Sequence, residues 1–99
     1  MTSRARKMRR SSGNIFVDLG FPRDEAIILA MRADLMASMR LLIERRGWTQ
    51  VAAAKALGIS QSRVSDLVRG KWEKFSLDML LVFASRAGLR PELKLTDAA

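Results

Sequence analysis

Between residues 28 and 42 apolar side chains fall at Ile28, Met31, Leu35, Met39 and Leu42, at intervals of 3, 4, 4 and 3, the repeat of one buried helical face. Ile27, Met36 and Ile43 widen that stripe. The pattern predicts a long helix that starts near Pro22, with Asp24 and Glu25 in a first turn where carboxylates favour the positive end of the helix dipole. It should stop at Gly47, after Arg45 and Arg46, and its length leaves room for a break near Ala33 or Ser38. Upstream, Asn14-Ile15-Phe16-Val17-Asp18-Leu19-Gly20-Phe21-Pro22 is an apolar patch punctuated by Gly and Pro, which suits a short turn or a single helical turn capping the core.

Downstream the pattern breaks into three shorter helices, each with a capping residue and a glycine stop. Thr49 opens one that runs to about Leu57 before Gly58. Ser60 opens the next, from Gln61 to Val68 or Arg69 before Gly70. Ser76 opens the third, from Leu77 to Ala87 before Gly88. The third residue after each cap is Ala52, Arg63 or Met79, so none completes a reciprocal capping box. Pro91-Glu92-Leu93-Lys94-Leu95 alternates like a short strand, but a strand of that length needs a partner. The reading is an all-α fold of about five helices in a single domain over residues 14–99, with this short C-terminal strand if it finds one. Trp48 and Trp72 are expected as lids on the core. Met31, Met36, Met39 and Met79 are expected as core filling, and Asp24, Glu25 and Asp34 as solvated helix charges. Residues 1–13 lack apolar periodicity and are expected to form a disordered basic arm.

Composition narrows the chemistry. The 99 residues contain no His and no Cys, which removes imidazole bases, thiol nucleophiles, disulfides and the usual zinc ligand sets. No enzyme activity, cofactor or metal is expected, no apolar run is long enough to span a membrane, and the expected compartment is the cytoplasm. Eighteen Lys and Arg against ten Asp and Glu give a net charge of +8, spread unevenly. Residues 1–10 hold five bases and no acid, and residues 45–74 hold seven bases against Asp66 and Glu73. Residues 11–44 between them are slightly acidic, with five acids and three bases. Two basic blocks of this kind suit a polyanionic partner.

The densest set of constraints lies over residues 49–69. Two helices crossing steeply need a small residue where their backbones approach, which Ala54 supplies. They also need a turn residue comfortable at positive φ, which Gly58 supplies. Val51, Leu57, Ile59, Val64 and Leu67 are then placed to lock the second helix to the first. This is the spacing of a helix-turn-helix, and it says little about which DNA is read.

Thr49-Gln50, Ala54, Gly58-Ile59-Ser60-Gln61-Ser62, Val64, Leu67 and Arg69-Gly70-Lys71 together resemble the Xre-type, lambda-repressor-like helix-turn-helix proteins over about residues 35–87. The wider frame, Asn14 to Phe21 and Phe75-Ser76-Leu77-Asp78, looks like the HigA-like antitoxins of HigB/RelE-type toxin–antitoxin modules. Many of those relatives carry an acid where this chain has Ala52. The resemblance implies that Gln61, Ser62 and Ser65 reach base edges from the recognition helix, with Arg63 reaching base or phosphate. Gln suits the major-groove edge of adenine, and Ser serves several bases. Asp66 lies near the same face, where it would act as a repelling selector. Thr49, Gln50, Arg69 and Lys71 would hold phosphates, with Lys74 a further candidate, and Gln50 would alternatively brace Gln61.

The function implied is a sequence-specific repressor that binds a palindromic operator in double-stranded DNA as a homodimer, and that serves as antitoxin and autoregulator beside a RelE/HigB-like toxin. A solitary Xre-type regulator, or a protein-neutralising module with vestigial DNA binding, fits the same residues. For dimerisation the C-terminal helix offers Leu77, Leu80, Leu81, Val82 and Phe83 together with Pro91–Leu95. For a basic toxin the acidic stretch offers Asp18, Asp24, Glu25, Asp34 and Glu44, with Ile15, Phe16 and Phe21 as apolar anchors.

Overall fold

The computed structural model describes residues 13–97, so the basic arm expected over residues 1–13 lies almost wholly outside the described residues. Among these residues five α-helices and one 3-10 turn follow in order: α1 (Ile15–Asp18), α2 (Arg23–Arg45), α3 (Gln50–Leu57), α4 (Gln61–Val68), the turn Trp72–Lys74, and α5 (Leu77–Arg86). The fold is all-helical, and among the described residues there is no strand. Residues 91–97 are irregular and exposed. The strand-like alternation there meets no second strand among the described residues.

Helix starts follow the side chains that can accept a backbone N–H. Asn14 Oδ1 accepts from the Phe16 N–H at 2.9 Å, while Asn14 Nδ2 donates to the Ala26 carbonyl at 3.0 Å and ties α1 to α2. Thr49, Ser60 and Ser76 accept from the N–H groups of Ala52, Arg63 and Met79 at 3.1, 3.2 and 3.1 Å. Pro22 precedes α2 with no side-chain cap, and Asp24 and Glu25 occupy the first turn.

α2 runs unbroken through Ala33 and Ser38. Its buried face changes direction along its length. In the second half Met36, Met39, Leu42 and Ile43 pack with Leu57 of α3, Val64 and Leu67 of α4, Phe75, and Leu80 and Phe83 of α5. In the first half the buried residues are Ala26 and Leu29, packed on Phe16 of α1 with Phe21 and Trp72 alongside. The stripe expected through Ile28 and Met31 is therefore mostly in solvent, at 45% and 38% exposure, as is Ile27. Ala26 lets the Phe16 ring approach the α2 backbone, and Phe16, Phe21 and Trp72 interlock edge to face with centroids 5.1–6.1 Å apart. That aromatic triad, rather than the larger aliphatics beside it, decides which side of α2 turns inward.

Trp48 packs on the main core and Trp72 bridges toward the second cluster, as lids would. Met36 and Met39 are fully buried and Met79 packs at the core edge, whereas Met31 is not core filling.

Candidate nucleic-acid interface

α3 and α4 are joined by Gly58, Ile59 and Ser60. Ala53 and Ala54 are buried where α3 meets its neighbours, and Leu57, Val64 and Leu67 are completely enclosed. Val51, expected to help lock the pair, is instead 60% exposed. On an eight-residue helix the places facing the core are taken by Ala53, Ala54 and Leu57, and Val51 falls outside that arc. Gly58 sits at φ +72°, and the N–H groups of Gly58 and Ile59 both donate to the Ala54 carbonyl, at 2.8 and 3.0 Å. A Cβ at Gly58 would lie 2.9 Å from Arg86 Nη1, the flexible end of a side chain that could shift, so it is the backbone angle that makes the turn need glycine.

The outward side of α4 follows from its inward side. Val64 and Leu67 point to the core, so residues 61, 62, 65 and 69 share the opposite arc. Gln61, Ser62 and Arg69 are exposed and Ser65 is half-buried on that arc. The first turn presents short polar side chains beside the Ser60 cap. Gln50 is exposed at the start of α3, and Thr49 Oγ1, which accepts the Ala52 N–H, still has its own proton to donate to a phosphate.

Three of the residues expected as contacts have partners within the fold. Arg63 points back along the fold: its Nη1 donates to the Lys74 carbonyl at 3.2 Å and its guanidinium lies 5.3 Å from the Phe75 ring centroid. Lys71 and Lys74 flank α4 with their ammonium groups 3.7 and 3.6 Å from the Asp66 carboxylate. Asp66 thus orients both lysines and offsets part of their charge.

The sequence did not disclose how many arginines serve the fold. Arg32 donates to the Trp72 carbonyl at 3.3 Å, Arg46 to the Ala87 carbonyl at 2.7 Å, and Arg86 to the Leu57 carbonyl at 2.9 Å. Arg46 also lies 5.1 Å from the Trp48 ring centroid. With Arg63, these guanidiniums satisfy carbonyls at the ends of α3 and α5 and around the 3-10 turn, where helices leave acceptors unpaired. The partners lie 11 to 41 residues away, beyond any local spacing rule. Arg46 and Arg63 both belong to the basic block over residues 45–74, so that block is less available to a polyanion than its count suggests.

A family model for a helix-turn-helix domain matches residues 15–96. The chain belongs to that helix-turn-helix family. The match reaches past the two-helix motif to include α1 and nearly all of the C-terminal segment, and it agrees with the Xre-like character of residues 49–71. No curated protein matches the chain. Among the described residues no helix of this helix-turn-helix protein is long and apolar enough to cross a membrane.

Proposed function

We propose that this chain is a transcriptional repressor that reads a palindromic DNA operator as a homodimer, with α4 in the major groove. The observation that carries this is the first turn of α4, where Gln61 and Ser62 stand exposed opposite the enclosed Val64 and Leu67. Gln61 and Ser62 supply base-edge contacts, with Ser65 behind them. Thr49, Gln50, Arg69 and Lys71 hold phosphates and set the register. One module offers little contact area, so two copies reading half-sites about 34–36 Å apart supply the affinity of an operator. The reading assigns no catalysis to the chain.

The test is competition binding against a library of half-site variants built on the chain's own promoter. Gln61→Ala should lose about 1–3 kcal/mol on the preferred site and relax discrimination at one position, while Lys71→Ala should weaken all sequences about equally. Identical behaviour of the two variants would refute the assignment.

The finer reading is that the repressor is also the antitoxin of a basic, RelE-like toxin. The support is the resemblance of the flanking segments together with exposed acids on α2, since a basic toxin would be repelled by the DNA-binding side. Phe16 and Phe21 are committed to the chain's own aromatic cluster, so they are not the anchors of such a surface. Ile27 and Ile28, exposed beside Asp24 and Glu25, take that place. Co-expression of the neighbouring gene product with an Asp24→Lys, Glu25→Lys double variant tests it: co-purification should fail, and unchanged co-purification would exclude this surface.

A further inference from the structure

A second uncovered surface lies between α2, α5 and the C-terminal segment. Met31 and Leu35 of α2, Leu77 and Leu81 of α5, and Pro91 and Leu93 border an open groove of about 540 Å³. No lining residue comes from α3 or α4, so an occupant would leave Gln61 and Ser62 uncovered. Beside the groove, Leu93 and Leu95 are 73% and 86% exposed, and among the described residues no backbone hydrogen bond ties residues 91–97 to the rest of the fold. Unpaired backbone and uncovered leucines on one short segment are what a sheet edge presents before it acquires a partner.

We propose that two copies of this chain pair residues 91–95 as antiparallel strands centred on Leu93, seated over the two α2–α5 grooves. The inference deepens the dimeric reading above by assigning its interface. In extended backbone Pro91, Leu93 and Leu95 share one face and Glu92 and Lys94 the other. A two-fold axis at Leu93 sets Glu92 of each copy opposite Lys94 of the other and Pro91 opposite Leu95, a self-complementary match. Centring on residue 92 would instead oppose Glu92 to itself and Lys94 to Arg90, and centring on residue 94 would oppose Lys94 to itself. A slip by one residue sets Leu93 against a charge. Pro91, with no N–H to donate, falls at the strand start, where its loss is tolerated. A two-stranded ribbon alone is marginal in water. Here Pro91 and Leu93 of its apolar face already border the groove, which Glu92 also lines before pairing, and α2 and α5 supply the second layer.

The experiment is sedimentation equilibrium of the full chain without DNA. The wild type should sediment at twice the 11.1 kDa of one chain, and Leu93→Asp should sediment as a monomer. Glu92→Lys alone and Lys94→Glu alone each oppose like charges at both symmetry-related pairs and should weaken the dimer about tenfold. The double exchange Glu92→Lys, Lys94→Glu should restore it. All three substituted positions, Glu92, Leu93 and Lys94, are exposed, so circular dichroism should be unaltered. A monomeric wild type, single exchanges that dimerise like the wild type, or a double exchange that fails to rescue would each overturn the proposal. Duplex binding separates the two readings: a monomer that still binds DNA overturns this interface and leaves DNA binding standing, and a dimer without DNA affinity overturns operator binding alone.

Discussion

The outer face of α4 and the groove between α2 and α5 are both exposed, and they are built in opposite ways. The α4 face is short, polar and fixed by backbone hydrogen bonds: Ser60 caps its start, Gly58 sets its entry, and Asp66 steers the lysines beside it. The groove is mostly apolar, with Asp34, Ser38 and Glu92 among its lining, and is bordered on one side by an irregular segment. One surface exposes groups that water already satisfies and that a polyanion can satisfy with gain of released counterions. The other exposes side chains whose burial is favourable against almost any apolar surface of the right shape. In the roles proposed above, the first would give specificity through a few positioned side chains, whereas the second would depend on self-complementarity for its choice of partner.

Salt should divide the two most sharply. If six phosphates are neutralised along α3, α4 and the 3-10 turn, the logarithm of duplex affinity should fall with the logarithm of salt at a slope of about −5, or about a thousandfold between 50 and 200 mM. Dimerisation through an apolar groove should change little over the same range, because screening touches only its rim charges. Anisotropy titrations and sedimentation at the same salt concentrations would show it. A flat response in the first, or a steep one in the second, would remove the contrast.

The second effect concerns which side of α2 is inside. Leu29→Ala should cost about 2–5 kcal/mol of stability, because it empties the cluster beneath Phe16. Ile27→Ala should cost about 0.5 kcal/mol or less, the range of surface substitutions. Chemical denaturation would decide, and equal costs would mean that the buried arc is wider than the aromatic triad makes it.

That pair of residues also marks where the sequence stopped being informative. Caps and glycine stops located α3, α4 and α5 to within a residue or two, and Pro22 and Gly47 bounded α2, since Thr49, Ser60, Ser76 and the glycines act on their own neighbours. The second half of α2 was legible too, because Met36, Met39, Leu42 and Ile43 keep helical spacing and meet a continuous core. The first half was not. Periodicity finds a stripe of large aliphatics, but burial goes to the side that a partner element covers. The partner is a single turn whose Phe16 prefers the small Ala26 to Ile27 or Ile28. On α4, the exposure of Gln61 and Ser62 was readable from their position at the helix start. The direction of Arg63 was not, because a long cation at the same helix start can turn back to a carbonyl and a ring that lie together only in the fold.

The smallest effect tests what Asp66 contributes to that interface. It lies on α4 beside the outward arc and holds Lys71 and Lys74 within 3.7 Å. If it acts as an orienting counter-charge, Asp66→Asn removes one negative charge from the DNA-facing side and releases two ammonium groups. Duplex affinity should then rise about two- to fivefold on every sequence alike, and the salt slope should steepen by about one, the change for one more phosphate contact. The fold should lose at most about 1 kcal/mol, since both lysines are well exposed and such pairs contribute little. If Asp66 instead repels particular bases, the same substitution would leave the best operator bound as before and tighten only the sites it had excluded. Binding to a half-site library separates the two outcomes, because a counter-charge shifts all members together and a selector reorders them.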